Sequence, residues 1–198
     1  MKKILAIAVP VALVIGLYLA KGPYLFPTSV ALGPCLMDWT SPSTWSPRAS
    51  PMKTLDFTAG SVHGRVCYGS PETRGRRLFG PSGIVPPGRL WRMGANEPTR
   101  LFLDGPVMFG DLRLERGRYS IYAEPGTETW EVFATGSTWH WGNEISSEVR
   151  AQQVGSIQAF ALRKGAHQES LEYLFEAETL VMAWGFTRLQ MPLSAVAP

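Results

Sequence analysis

The chain has 198 residues and a formal net charge of +3. That charge comes from Lys2, Lys3 and Lys21, since residues 22–198 hold 16 Lys and Arg against 16 Asp and Glu. Nucleic-acid binding needs a basic field on the folded domain, so this neutral body excludes a nucleic-acid partner in spite of the sequence pI near 9.0.

The first predicted element is an apolar helix within residues 1–21. Residues 4–20 carry no charge, and as a helix they would be roughly 26 Å long, slightly less than the ~30 Å hydrocarbon core. The run is nevertheless longer than the apolar region of a cleaved signal peptide. We therefore expect residues 4–20 to bind the membrane as an uncleaved anchor. Cleavage near residues 29–31 would give a secreted protein instead.

The charges around this helix predict its orientation. Two lysines precede the apolar run and one follows it, which favours a cytoplasmic N-terminus. The rest of the chain would then lie outside the cytoplasm in a single-pass topology. Residues 32–35 also resemble a lipoprotein acylation site, although Pro34 directly before the cysteine disfavours that interpretation.

Residues 22–52 are predicted to form an extended stalk. Six prolines fall between residues 22 and 51, and each one removes a backbone donor. The stalk contains Cys35, and the only other cysteine is Cys67. In an exported chain these two residues permit one disulfide, which would tie the stalk to the domain. Zinc-binding and Cys-x-x-Cys patterns are absent from the sequence, so we expect neither a metal nor a cofactor.

Residues 53–198 have the pattern of a single β-domain. Turn signals such as Asp104-Gly105 separate short segments in which apolar and polar residues alternate, and we expect about nine or ten strands. Residues 144–153 suit either a helical turn or a strand. The pattern predicts an all-β fold, either an antiparallel β-sandwich or a jelly-roll-like barrel. The clearest segments are residues 100–104, 112–115, 118–123, 171–176, 179–184 and 189–193.

The alternation stops for some thirty residues between Tyr68 and Thr99. A structureless connection of that length is usually functional or held by specific contacts. Its most polar part is WRMGANE, residues 91–97. Arg92 offers five donors in a rigid fork, Glu97 accepts two of them, and Asn96 can bond the backbone of a tight turn. One interpretation is therefore a structural clasp, in which hydrogen bonds of these three side chains within the domain hold residues 91–97 in one conformation.

The alternative interpretation of the same residues is a binding site. An arginine fork beside Trp91, with Asn96 and Glu97 adjacent and Arg76 nearby in the same connection, can hold a carboxylate, a phosphate or a sugar. The partner would then be a small anion, a carbohydrate or an envelope protein.

The connection and the strands that follow it resemble a bacterial family of exported domains of unknown function, family 2911. The resemblance covers about residues 55–193, and WR-x-GANE is its most specific run. Other matching positions are Tyr68, Ser70, Pro71, Gly75, Arg76, Leu78, Phe79, Gly80, Val85, Pro86, Gly88, Thr99, Gly117, Tyr119, Ser120, Ile121, Tyr122, Pro125, Trp130, Trp141 and Gly142.

This resemblance implies an exported all-β domain in bacteria, which would place the anchor in the inner membrane and the domain in the periplasm or outside. It implies no activity. The sequence departs from the family at Pro98, at Pro87 and by extra residues at 81–83. These changes leave the clasp residues in place, but they alter positions that would form a pocket wall in the family.

Catalytic chemistry has little support in the sequence. His140 lies between Trp139 and Trp141, whose rings could desolvate it, and Glu97 could act as a general acid or base. Tyr122 is a further candidate for stacking on a carbohydrate. We expect a binding or cell-envelope interaction module with no catalytic residues. The alternative is a hydrolase that acts on an envelope glycan or ester through Glu97 or His140.

Overall fold

The computed structural model describes residues 49–138, 140, 142, 145–163 and 165–196. The predicted anchor, nearly all of the stalk and Cys35 lie outside these residues. Among the described residues, no helix is both long enough and apolar enough to cross a membrane.

The described domain is built from strands and one short helix, as the alternating pattern predicts. The elements are β1 (Met52–Ala59), β2 (Val62–Gly69), β3 (Thr99–Leu103), β4 (Val107–Phe109), β5 (Leu112–Leu114), β6 (Gly117–Glu124), β7 (Thr129–Thr135), α1 (Ser147–Ala151), β8 (Gln153–Leu162), β9 (Gln168–Glu176), β10 (Thr179–Gly185) and β11 (Thr187–Ala195).

The strands form one antiparallel sheet that curls into a nearly closed barrel. Its order is β1-β2-β3-β6-β7-β8-β11-β10-β9, with β4 and β5 attached beside β11. Most neighbours in the sheet are also neighbours in the chain, which favours short hairpin connections. The all-β prediction is confirmed. The separate sheets of a sandwich are not seen, because hydrogen bonding runs unbroken along these strands.

The ends of the sheet approach each other through the residues that follow β2. The amide of Leu171 on β9 donates to the carbonyl of Pro71 at 2.9 Å, and the amide of Thr73 donates to the carbonyl of Glu169 at 2.8 Å. These bonds satisfy part of the exposed edge of β9, which would otherwise invite pairing with another chain. The connection after β2 thus completes the barrel wall.

The barrel interior is filled by the inward side chains of the alternating strands. Leu101, Leu103, Ile121, Val132 and Leu189 are fully buried in this core. At the end of the barrel near the 70–98 connection, the core becomes aromatic. The rings of Phe79, Trp91, Trp130 and Trp184 lie 5.0–6.0 Å apart between centroids.

The outer face of β3, β6 and β7 is also covered. Phe102 and Tyr122 point away from the core cluster and are still buried. The covering segment includes α1, whose N-cap Ser146 accepts a bond from the Val149 amide. The hydroxyl of Thr135 donates to the carbonyl of Val149 at 2.9 Å. The sequence predicts either a helical turn or a strand for residues 144–153. The structure has a one-turn helix, α1, followed by the strand β8.

Candidate functional site

The connection between β2 and β3 is irregular, as expected, but its backbone is fixed at several points. Trp91 and Ala123 exchange two backbone hydrogen bonds of 2.8 Å, and the amide of Val85 donates to the carbonyl of Leu78 at 2.9 Å. Phe79 packs edge-on against Trp130, with ring centroids 5.0 Å apart. The connection is therefore an ordered part of the domain.

A clasp does hold residues 91–97, although different atoms from those expected form it. The carbonyl of Met93 accepts bonds from the hydroxyls of Thr99 at 3.1 Å and Tyr173 at 2.9 Å. The amide of Ala95 donates to the carbonyl of Gly69 at 3.1 Å. Gly69 has no room for a side chain, because an added Cβ would lie 2.0 Å from the Ala95 carbonyl oxygen.

Two residues of the clasp adopt left-handed backbone conformations. Met93 has φ 59° and Asn96 has φ 63°. Asparagine tolerates this region, whereas methionine there is strained by roughly 1–2 kcal/mol. The two hydrogen bonds to the Met93 carbonyl compensate for this strain. Gly142 packs against the same turn, since an added Cβ would lie 2.3 Å from the Asn96 carbonyl oxygen.

Arg92 and Glu97 do not form the direct pair that the sequence suggested. Glu97 is buried, with 4% of its surface exposed, whereas Arg92 is half-buried. No ion pair joins them among the salt bridges of the described residues. Burial lowers the pKa of Arg92, and the charge of Glu97 opposes that shift.

The Arg92 guanidinium has an unused donor. Its Nε is buried and has no hydrogen-bond partner within the described part of the chain. A buried charged group normally needs such partners, because an unmade bond costs the group its hydration without replacement. Arg92 is therefore the least satisfied charged side chain of the clasp.

Arg92 lines a cavity of about 620 Å³ on the outer side of the clasp. Three further arginines, Arg74, Arg76 and Arg89, line the same cavity, and Glu72 is its only acidic wall residue among the described residues. Trp91, Trp184 and Asn96 also contribute to the walls, together with Ala49 and Ser50 from the end of the stalk. Trp91 and Trp184 stack at 5.9 Å with an interplanar angle of 14°.

The arginines of this cavity differ in how far the protein already satisfies them. Arg76 donates to the carbonyls of Thr73 at 2.9 Å and Glu72 at 2.6 Å. Arg74 bonds the Glu72 carboxylate at 3.3 Å and the Ala49 carbonyl at 3.2 Å. Arg89 is exposed. Arg89 and Arg92 are thus the arginines best placed to receive an external anion.

A comparison with protein families gives one match. The model of a family described as a protein of unknown function, DUF2911, matches residues 50–193. The chain belongs to the DUF2911 family. No curated protein and no solved structure matches it.

The remaining predicted residues of this DUF2911 domain lie apart from the arginine-lined cavity. Tyr122 donates to Gln153 at 3.0 Å and stacks on Phe133 at 4.9 Å on the outer face of the sheet. His140 lies with its Nδ1 3.0 Å from the Ser137 hydroxyl. Arg76, Trp91, Arg92 and Asn96 meet at the cavity, and Glu97 lies behind it.

Four residues that build this DUF2911 site were not predicted as site residues, although two of them, Thr99 and Gly142, are among the positions that resemble the family. Tyr173 and Thr99 fix the clasp, Trp184 forms a cavity wall, and Gly142 allows close packing on the turn. Tyr173 and Trp184 lie on β9 and β10, far along the chain from residues 91–97. Their alternating patterns identified strands, but no local signal linked those strands to the connection.

Cys67 on β2 is disulfide-bonded in the structure. Cys35, its predicted partner, lies outside the described residues, so the pairing stays a prediction. Within the described ranges, no group of three or more His, Cys, Asp or Glu side chains is arranged to hold a metal ion.

Proposed function

We propose that this DUF2911 domain is a binding module for a small ligand that carries a carboxylate or phosphate group. The ligand would occupy the cavity between the clasp and the end of the stalk, with Arg89 and Arg92 as its charged contacts. The observation that carries the proposal is the group of four arginines that line this cavity, Arg74, Arg76, Arg89 and Arg92, of which Arg92 is half-buried with a buried Nε that has no hydrogen-bond partner within the described residues.

The charge balance of the cavity supports an anionic ligand. Four arginines face one carboxylate, that of Glu72, which is already bonded to Arg74. Like charges that share a partly enclosed space repel each other more strongly than they would in water. An anion relieves this repulsion, and an arginine fork matches the geometry of carboxylate and phosphate oxygens.

The desolvation of Arg92 gives an electrostatic reason for binding. Burial lowers its pKa because the charged form loses water, and Glu97 offsets only part of that cost. A ligand anion beside the guanidinium supplies the second negative charge. Binding would therefore raise the pKa of Arg92 towards its ordinary value.

The hydrolase alternative receives no support from this geometry. Glu97 is almost entirely buried and is not among the residues that line the cavity. His140 lies outside the same lining and is held by Ser137. A general acid or base must come within hydrogen-bond reach of the reacting group.

The proposal is tested by calorimetric titration of the full chain with sodium galacturonate and, separately, inorganic phosphate. The two ligands distinguish a carboxylate site from a phosphate site. We expect one of them to bind, and the double variant Arg89→Gln/Arg92→Gln to bind at least about tenfold more weakly, from two lost charge-assisted hydrogen bonds.

The matched control is Arg113→Gln/Arg118→Gln, which removes two charges at exposed positions outside the cavity. It should bind as the unaltered chain does. Equal losses in both double variants would mean that only net charge matters, and the proposal would be wrong. Absence of binding by both ligands would also overturn it.

We further propose that the domain is exported and held at the bacterial inner membrane by residues 4–20. The support is the uncharged N-terminal run and the disulfide bonding of Cys67, since disulfides persist in oxidising compartments. Mass measurement of the membrane-associated protein tests the tether. An intact N-terminus is expected, whereas loss of the residues before Leu32 would show cleavage and secretion.

A further inference from the structure

A second cavity, of about 370 Å³, adjoins the first one. The two cavities share two wall residues, Arg76 and Trp184. Because the same side chains line both spaces, the two cavities lie next to each other, within reach of one elongated molecule.

The second cavity repeats the chemistry of the first. Its wall contains three arginines, Arg76, Arg77 and Arg163, together with His167, and no Asp or Glu is among its described lining residues. Its apolar wall includes Phe186, in the turn between β10 and β11, which is 61% exposed.

Phe186 has a defined position at the rim. Its ring packs edge-on against the imidazole of His167, with centroids 4.9 Å apart. His167 in turn lies 3.8 Å from the carboxylate of Glu169, and that carboxylate accepts bonds from the Thr73 hydroxyl and the Arg74 amide. The Glu169 carboxylate is thus already hydrogen-bonded within the protein and does not line the cavity.

We propose that the ligand is an acidic oligosaccharide that spans both cavities. This inference rests on the proposed function and extends it by naming the ligand class. One cavity offers Trp91 with Arg89 and Arg92, and the other offers Phe186 with Arg77 and Arg163. Each therefore combines an aromatic ring with arginines.

This repeated combination matches the repeat of an acidic sugar chain. The apolar face of a pyranose ring packs on an aromatic side chain, while its carboxylate is bound by arginine. A linear polyphosphate has the charges but no ring faces, so it would make no stacking contact of its own with Trp91 or Phe186. The pairing of rings and charges favours the oligosaccharide.

The test is a calorimetric length series with galacturonic acid, its trimer and its hexamer, performed on the full chain. Linking two bound units makes the second contact intramolecular, so we expect the hexamer to bind at least about tenfold more tightly than the monomer. Phe186→Ala and Arg163→Gln should each remove most of that gain.

Two control variants match these changes outside both cavities. Phe160→Ala removes a ring that is 59% exposed on β8, and Arg113→Gln removes an exposed charge. Both should retain the full length dependence. A loss in the controls equal to that in the cavity variants would contradict the inference, because it would indicate non-specific contact.

The remaining outcomes separate this inference from the proposed function. If the monomer binds through Arg89 and Arg92 but the hexamer binds no more tightly, the proposal of a ligand that spans both cavities is wrong. The proposed anion site at Arg89 and Arg92 is then still supported. If polyphosphate binds more tightly than the hexamer and Phe186→Ala has no effect, the ligand class is wrong. Absence of binding by the monomer, the hexamer and phosphate overturns both proposals.

Discussion

Residues 91–97 face the barrel on one side and the cavity on the other. The two sides differ in how completely their polar groups are hydrogen-bonded within the protein. On the barrel side, the Met93 carbonyl is bonded twice and its side chain is fully buried. On the cavity side, Arg92 is half-buried with an unbonded Nε. We expect stability to depend on the first side and the proposed ligand binding to depend on the second. The difference separates structural residues from candidate functional ones within a single turn.

The largest effect is expected on the barrel side, from Gly69→Ala. An added Cβ would lie 2.0 Å from the Ala95 carbonyl oxygen, and both groups belong to backbones joined by a hydrogen bond. We expect a loss of about 3 kcal/mol in the free energy of unfolding. Gly136→Ala is the control, because its nearest atom would be 3.8 Å away. Similar losses for both, measured by urea denaturation, would show that the clasp is not tightly packed.

The buried tyrosines predict a pH dependence of the same region. Burial raises the pKa of Tyr173 and of Tyr68 well above 10 in the folded state. The unfolded chain releases these protons near pH 10, so the stabilisation is complete below that pH and is lost as the pH rises further. The loss should approach about 1.4 kcal/mol per pH unit for each tyrosine.

This dependence can be measured by urea denaturation between pH 9 and pH 11. Tyr173→Phe should make the decline shallower, since one of the tyrosines with a raised pKa is gone. An unchanged slope would mean that Tyr173 is not buried as a neutral hydroxyl.

A smaller effect is expected from the same variant at neutral pH. Tyr173→Phe removes one of two bonds to the Met93 carbonyl and leaves the Thr99 bond in place. The free energy of unfolding should fall by about 1 kcal/mol, because the carbonyl stays partly satisfied. Thermal unfolding measures this change. A loss as large as that of Gly69→Ala would mean that the hydroxyl supports more than this carbonyl.

The smallest change in stability is expected for Arg92→Gln. The guanidinium loses hydration on burial, and its attraction to Glu97 offsets that cost only in part. Replacement by a neutral side chain should therefore change the free energy of unfolding by less than about 1 kcal/mol. A loss of several kcal/mol in urea denaturation would restore the Arg92–Glu97 pair as the centre of the clasp.

The sequence predicted the strands well because alternation is a local property of the chain. Residues 179–184, apolar on both faces, became a strand buried throughout most of its length. The sequence did not predict which atoms fix residues 91–97, which are the Met93 carbonyl and the Ala95 amide. Left-handed backbones at Met93 and Asn96 turn neighbouring side chains to different sides, and no period in the sequence indicates such conformations.

The cavity was the part that the sequence could not predict. Arg76 and Arg92 were predicted as candidate binding residues, but Trp184 joins them only because the sheet curls until β10 lies beside the connection. The register of a curled sheet depends on long-range packing. Single residues such as Gly69 and Gly142, which allow two backbones to touch, carry no local signature of that role.

The division between the two sides of residues 91–97 is tested most directly by galacturonate affinity and melting temperature, measured together for Tyr173→Phe and Arg92→Gln. The account predicts that Tyr173→Phe lowers the melting temperature and retains affinity, whereas Arg92→Gln retains the melting temperature and loses affinity. If Arg92→Gln instead lowers the melting temperature and binds galacturonate as the unaltered chain does, Arg92 is a structural residue and the binding site is elsewhere.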